Sequence, residues 1–104
     1  MTQLCALTDI PDRQAIEVKV GQRSIIVWRQ GAQAYAYENH CPHARMPLQW
    51  QDNQFMSLDG RHLQCSVHGA LFEPRTGYCL YGPCQGQALS SVAISQENGQ
   101  IFLE

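Results

Sequence analysis

Four residues with metal-binding side chains lie in two short segments of the chain. Cys41 and His43 are two positions apart in HCPHARMPL, and Cys65 and His68 are three positions apart in QCSVHGALF. Thiolate and imidazole groups suit zinc, iron or an iron–sulfur cluster, and they argue against magnesium and calcium. Proline and glycine surround both pairs, which favours loops. The pattern therefore predicts that two loops converge on one metal centre.

The order of these ligands separates two kinds of metal site. Zinc fingers usually pair like with like, two cysteines followed by two histidines. Here each segment carries one of each, and 21 residues separate His43 from Cys65. A two-iron cluster with two cysteines on one iron and two histidines on the other requires such mixed pairs, because each loop then reaches both irons. Structural zinc remains the alternative on spacing alone.

The composition of the chain excludes several classes of partner. With 104 residues, we expect one domain, residues 1–104. The net charge is −2 and only one of the seven basic residues is a lysine. We therefore expect no nucleic-acid partner and no membrane partner. No apolar run approaches the roughly 20 residues that span a bilayer, and no signal peptide is recognisable, so the expected compartment is the cytoplasm.

The elements that must position the ligands are predicted to be strands. AIEVKV (15–20) alternates apolar and charged residues, and residues 24–29 are rich in β-branched and aromatic types, with AYAYE as the return strand of a hairpin. Near the C-terminus, VAISQ and QIFLE flank Asn98-Gly99, the strongest short hairpin signal. We find no convincing amphipathic helix, although residues 48–56 could form one helical turn.

The stretch from about 39 to 84 has a different character. It is rich in proline and glycine and contains four of the five cysteines and all four histidines. We therefore predict an all-β fold, a small antiparallel β-sandwich or barrel formed by the two ends of the chain. A loop-rich, cluster-binding subdomain is inserted into it or mounted on it.

Taken together, CPH and CSVHGALF resemble the Rieske [2Fe–2S] motif, and HGALFEPRTGYCLYGP resembles the continuation usual in that family. The resemblance implies one [2Fe–2S] cluster per chain. Cys41 and Cys65 would bind one iron as thiolates, and His43 and His68 would bind the other through ring nitrogens. It further implies that Gly69 lets the backbone donate to a cluster sulfur, and that Gly82-Pro83 forms a third, covering loop.

The cluster's reduction potential is expected in the lower part of the Rieske range, which spans roughly −150 to +300 mV. Two ferric ions, two sulfides and two thiolates sum to a neutral site, which accepts an electron more readily than a four-thiolate site. Respiratory relatives raise the potential further with a disulfide between the cluster loops and with serine and tyrosine hydroxyls. The corresponding positions here are Met46 and Val67 for the disulfide, and Ala70 and Phe72 for the hydroxyls.

The resemblance implies a one-electron carrier rather than a catalyst. In the family's common use, the donor is a flavin reductase and the acceptor an oxygenase or another oxidoreductase. One alternative is an electron-transfer subunit similar to the small subunit of NAD(P)H nitrite reductases. A zinc-stabilised interaction module is the other.

Several residues near the motif have less specific signals. Cys79 and Cys84 are interpreted as free thiols, with a disulfide or a redox-active pair as the alternatives. Cys5 is interpreted as a small apolar strand residue. His40 and His62 are interpreted as surface or hydrogen-bonding histidines. Apolar side chains are expected to shield the cluster loops (Leu48, Trp50 and Phe55) or to form a docking patch (Met46, Pro47 and Leu71).

Overall fold

The computed structural model describes residues 2–40, 48, 55–57, 60–65, 69–82 and 86–104, and the structural statements below concern these residues. They contain nine strands and one 3₁₀ turn at Leu7–Asp9. The strands are β1 (Thr2–Ala6), β2 (Ala15–Val20), β3 (Arg23–Gln30), β4 (Gln33–Glu38), β5 (Leu63–Gln64), β6 (Leu71–Phe72), β7 (Cys79–Tyr81), β8 (Ile94–Glu97) and β9 (Gln100–Leu103).

The strands form three antiparallel sheets of three strands each. Their orders are β1-β9-β8, β2-β3-β4 and β5-β6-β7. The first two come from the ends of the chain, and the third lies within the stretch from 39 to 84. The all-β prediction is therefore confirmed. Among the described residues, no helix is long and apolar enough to cross a membrane.

Strand β3 is buried on both faces and divides the hydrophobic core in two. Because side chains alternate along a strand, Ile25 and Val27 face one side while Ile26 and Trp28 face the other. The first pair packs in what we call the scaffold core, with residues of β1, β8 and β9. The second pair packs in the cluster-side core, whose members include Leu48, Phe55, Leu63, Cys65, Ala70, Phe72 and Cys79. The strand thus connects the sandwich to the region that carries the metal motif.

The outer edge of β4 is covered by other parts of the chain. The side-chain amide of Gln96 donates to the carbonyl of Ala32 and accepts from the N–H of Ala34, each at 2.9 Å. Further along, the carbonyl of Ala36 accepts from Val92, and the N–H of Glu38 donates to the carbonyl of Ser90. Side chain and backbone together cover part of this edge and join β4 to the segment that leads into β8.

The predicted strands at both ends of the chain are confirmed with small shifts in their bounds. Asn98 and Gly99, between β8 and β9, have φ values of 52° and 76°, the positive values that a two-residue hairpin turn requires. Strands β5, β6 and β7 were not predicted individually. Two or three residues are too short to show a period of two, so only the tertiary structure reveals them.

The long interval between the two metal-binding segments contains antiparallel pairing between its described residues. Met56 pairs with Leu63, and the N–H of Ser57 donates to the carbonyl of His62 at 2.9 Å. The N–H of Gln64 donates to the carbonyl of Phe55 at 2.7 Å. These bonds fix the start of β5, which leads directly to Cys65. The helical turn considered for 48–56 lies largely outside the described residues.

Candidate metal centre

Cys65 is the predicted ligand that the structure describes. Its side chain is fully buried in the cluster-side core and is not part of a disulfide. The residue follows β5 immediately, and its N–H donates to the carbonyl of Ala70 at 2.9 Å, which pairs the two ends of residues 65–70, the Cys65 loop. Gly69 has φ +65° within that loop. A buried sulfur directly after the end of a strand fits a thiolate ligand of an enclosed cluster.

Cys41, His43 and His68 lie outside the described residues. The four-residue ligand set of the sequence motif, with Cys65, therefore stays a prediction. Within the described part of the chain, no group of three or more histidine, cysteine or acidic side chains could hold a metal. Trp50, Met46, Pro47, Val67, Pro83 and Cys84 are likewise outside it.

Gly82 brings the predicted covering loop against the Cys65 loop. Its φ is +107°, and a Cβ built there would lie 2.9 Å from Cα and 3.0 Å from Cβ of Ala70. Contacts this close do not occur for real side chains, so the two backbones can approach only because position 82 is glycine. The close approach supports the expected role of this glycine in a loop that packs over the cluster site.

Asn39 anchors the other predicted cluster loop, and the sequence interpretation did not single it out. Its side-chain oxygen accepts a 2.8 Å hydrogen bond from the N–H of Leu48, while its side-chain nitrogen donates to Ser24 Oγ at 3.0 Å. Asn39 is buried, with 6% exposure, and Leu48 is fully buried. One amide side chain therefore ties the two ends of the segment that holds Cys41 and His43 to strand β3. An asparagine directly after a strand and before HCPH was the available signal.

Apolar packing behind the site agrees with part of the sequence interpretation. Leu48 and Phe55 are buried in the same core cluster as Cys65, as expected of residues that shield the site. Leu71, expected in a docking patch, is half-buried instead. The large apolar side chains that are exposed among the described residues are Tyr78, Leu80 and Tyr81, at 48%, 43% and 66%.

Cys79 differs from the expected free thiol. It is fully buried and disulfide-bonded, and the other half of the bond lies outside the described residues. The odd cysteine count could not exclude this, since two cysteines used as ligands leave three others, enough for one pair. Cys5 is a thiol in β1, half-buried as an apolar strand residue would be. Burial, and secondarily the carboxylate of Asp9, raises the pKa of Cys5 to about 11.

Comparison with known proteins matches this arrangement to one family. The model of the Rieske [2Fe–2S] domain matches residues 1–96. The ferredoxin component of a p-cumate 2,3-dioxygenase system from Pseudomonas putida is 30% identical over 102 residues, which cover 97% of this chain and 82% of that protein.

Solved structures agree with the family match. A structure described as a complex of reduced oxygenase and oxidized ferredoxin in carbazole 1,9a-dioxygenase contains a chain with TM-score 0.77 and 28% identity, covering 97% of this chain and 89% of its own. A putative small subunit of NADPH nitrite reductase has TM-score 0.71 and 14% identity, covering 99% of this chain and 96% of its own, and so shares the fold.

The chain belongs to the Rieske [2Fe–2S] family. It is an electron carrier of the ferredoxin type, and its cofactor is a Rieske [2Fe–2S] cluster. The described residues fit that group: a fully buried thiol at Cys65, a glycine that allows the covering backbone to approach at Gly82, and apolar packing from Leu48 and Phe55. The zinc-stabilised alternative is thereby set aside.

Proposed function

We propose that this chain is the ferredoxin component of an oxygenase system, taking single electrons from a flavin reductase and passing them to a terminal oxygenase. The support is the p-cumate relative, which covers 97% of this chain and is described as a ferredoxin component. When bound, the cluster supplies one-electron redox chemistry. The protein supplies the ligands, proposed to be Cys41, His43, Cys65 and His68, and a dry, shaped enclosure around them.

We further propose that residues 1–104 form one Rieske domain, with residues of about 39–84 as the cluster-binding subdomain. The family model spans 1–96, and the cluster-side core packs the described part of that subdomain against β3. We propose the cytoplasm as the compartment. The Cys79 disulfide is compatible with reducing conditions because its sulfur is buried, which hinders thiol exchange.

The docking surface for the oxygenase is proposed to be formed by the exposed apolar side chains of β7 and of the residue before it. Tyr78, Leu80 and Tyr81 fall within four consecutive positions, in an uncharged segment. Tyr81 directly precedes Gly82, whose backbone contacts the Cys65 loop. A partner that covers these side chains comes close to the cluster site, as electron transfer requires. Small interfaces with few central aromatic anchors suit transient redox contacts.

The proposal is tested by reconstitution. Purified protein is titrated into an assay with a flavin reductase and a Rieske oxygenase, and product formation is measured. We expect turnover to depend on this chain and to saturate with it. Tyr81→Ser is expected to raise the concentration at half saturation roughly 5- to 30-fold, as loss of an interface anchor worth about 1–2 kcal/mol implies. Tyr81→Phe, which keeps the apolar surface, is expected to behave as wild type.

Two results would contradict these proposals separately. Equal kinetics for Tyr81→Ser and wild type, with unchanged visible spectra, would move the docking surface elsewhere. Failure to support any oxygenase, combined with co-purification with a large sirohaem-bearing reductase, would replace the oxygenase context by the nitrite reductase alternative.

The disulfide at Cys79 is tested separately by counting alkylated cysteines in denaturant under anaerobic conditions, with and without reductant. Two additional cysteines should react only after reduction.

A further inference from the structure

A network of three polar side chains crosses the sheet from β2 to the segment between Asn39 and Leu48. The hydroxyl of Ser24, on β3, donates to the carboxylate of Glu17, a half-buried residue of β2. It accepts from the side-chain nitrogen of Asn39 at 3.0 Å. The side-chain oxygen of Asn39 accepts from the N–H of Leu48 at 2.8 Å. Hydrogen bonds therefore connect a carboxylate of the scaffold to the far end of that segment.

The register of the strands places these side chains on one face of the sheet. Ser24 pairs with Lys19, so Glu17, two positions before Lys19, is its diagonal neighbour on the same face. On the other side, the N–H of Asn39 donates to the carbonyl of Ser24 at 2.8 Å, which extends the pairing of β3 with β4 by one residue. Ile26, the next residue on this face of β3, packs in the cluster-side core. The network thus lies on the cluster side of the sheet.

The side-chain hydrogen bonds of the network all point toward Glu17. A hydroxyl has one hydrogen, so Ser24 can only accept from Asn39 while it donates to the carboxylate. The amide of Asn39 must then turn its NH₂ group to Ser24 and its oxygen to Leu48. An ionised carboxylate only accepts and a backbone N–H only donates, so both ends of the network require the same direction. Asn39, which is 6% exposed, therefore has one favourable amide orientation.

The reversed orientation of the Asn39 amide would be costly. Its NH₂ group would face the N–H of Leu48, donor against donor. Its oxygen would need the hydrogen that Ser24 already gives to Glu17. Leu48 is fully buried, and an unsatisfied buried group costs more than a typical hydrogen bond contributes. The direction of the network is thus coupled to the attachment of the segment at Leu48.

We propose that Glu17 is a positioning residue for the cluster. Its carboxylate fixes the direction of the Ser24 hydroxyl and thereby the orientation of the Asn39 amide, which anchors the far end of the segment. That segment holds two of the proposed ligands, Cys41 and His43, so the inference rests on the ligand set proposed above. Because the effect passes through Ser24, it predicts a specific coupling between positions 17 and 39.

The test reverses the direction of the network. Asn39→Asp keeps an acceptor for the N–H of Leu48 but places a second carboxylate against Ser24, whose one hydrogen cannot serve both. Adding Glu17→Gln supplies an NH₂ group that donates to the Ser24 oxygen, so the hydroxyl can donate to the new aspartate. Both side-chain hydrogen bonds are then satisfied in the opposite direction, and the bond from Leu48 is kept.

The measured quantity is the rate at which the visible absorbance of the cluster is lost to an iron chelator at about pH 8, where carboxylates are ionised. We expect Asn39→Asp to release the cluster at least about 10-fold faster than wild type, because a buried acceptor lacks a donor. Glu17→Gln alone should release it about 2- to 4-fold faster, because the amide oxygen accepts from Ser24 without the charge. The double variant should release it at least about 5-fold more slowly than Asn39→Asp.

Two controls separate the hydrogen-bond network from a simple change of charge. Glu38→Gln removes the same charge beside Asn39, but the Glu38 carboxylate pairs with Arg23. Combined with Asn39→Asp, it should give no rescue. Ser24→Ala removes the middle of the network and should abolish the rescue by Glu17→Gln. If Asn39→Asp is purified without its cluster, iron content per chain replaces the rate in every comparison.

Three results would overturn the proposal. These are wild-type release in Asn39→Asp, a rescue by Glu17→Gln no larger than that by Glu38→Gln, and a rescue that persists with Ser24→Ala. The ligand set is checked separately with Cys41→Ser, since a variant with wild-type iron content and spectrum would refute Cys41 as a ligand. Electron transfer to an oxygenase is measured by reconstitution and does not depend on these comparisons.

Discussion

The two cores on either side of β3 are built in different ways. The scaffold core is made by strands of four to eight residues with long runs of consecutive pairs, and it is filled by aliphatic side chains. The cluster-side core is framed by strands of two or three residues. Its loops are held by single contacts: the Asn39 amide on Leu48, the backbone of Gly82 on Ala70, and a disulfide at Cys79.

This difference separates two sources of stability. In the scaffold each buried aliphatic side chain contributes about 1.5–3 kcal/mol, and the loss of one methylene costs only about 0.5–1.5 kcal/mol. On the cluster side a few groups each hold a loop in place. We expect substitutions there to affect cluster retention more than global stability. The following predictions test that contrast.

The largest effect is expected at Gly82. Gly82→Ala places a Cβ 2.9 Å from the backbone of Ala70 and should separate the two loops. We expect this clash to lower the free energy of unfolding by at least about 2 kcal/mol, in addition to the cost of backbone strain. Gly86→Ala is the matched control, since Gly86 has φ +95° but open space around it, and strain alone costs about 1–3 kcal/mol. Iron content per chain after purification should fall for Gly82→Ala only. Equal iron loss in both variants would show that backbone strain, and not the clash with Ala70, causes the loss.

Asn39 is expected to have the next largest effect. Asn39→Ala leaves the N–H of Leu48 without its acceptor in a buried position, which costs about 2–3 kcal/mol. Ser24→Ala removes the hydroxyl that accepts from the Asn39 side-chain nitrogen and donates to the Glu17 carboxylate, but it keeps the bond of Asn39 to Leu48. It should therefore speed cluster loss less than Asn39→Ala does. Urea unfolding monitored at the cluster absorbance measures both. Faster cluster loss in Ser24→Ala than in Asn39→Ala would contradict the assignment of Asn39 as the anchor.

Phe72 offers a way to change the potential without changing the scaffold. It is fully buried in the cluster-side core, at the position where respiratory relatives have a tyrosine. Phe72→Tyr adds a hydroxyl that should stabilise the reduced state by about 1 kcal/mol, which is roughly +40 mV for one electron. Phe55→Tyr, in the same core, is the control and should leave the potential unchanged. A redox titration measures both, and a wild-type potential above about +200 mV would overturn the expectation of a low value.

The smallest effect is expected on the scaffold side, at Cys5. Because the pKa of Cys5 is raised in the folded protein, its contribution to stability is fully present below about pH 9 and is lost as the pH rises toward 11. Cys5→Ala should show a shallower decline of stability over that window. Thermal unfolding of both proteins from pH 8 to 11 measures the difference. If the stability of both proteins falls equally with pH, groups other than Cys5 cause the decline.

The strands of the scaffold can be predicted from the sequence, whereas the contacts that hold the cluster loops cannot. Strands β2 to β4 and the β8–β9 hairpin are predictable because they are long enough to show a period of two and are bounded by recognisable turns. The metal motif is recognisable because residue types and spacing carry it directly. The anchoring of the loops is not, since the contacts of Asn39 with Leu48 and of Gly82 with Ala70 join positions whose proximity only the folded chain creates.

The covered edge of β4 should reduce self-association of the protein at high concentration. An open sheet edge offers unpaired N–H and carbonyl groups on which another chain can add a strand. Along this edge the carbonyls of Ala32 and Ala36 and the N–H groups of Ala34 and Glu38 are already bonded, two of these four by one glutamine side chain. Gln96→Ala would open half of that edge while leaving both cores in place, so self-association of the variant should increase. A single side chain of β8 is thus expected to limit strand pairing between copies of the protein.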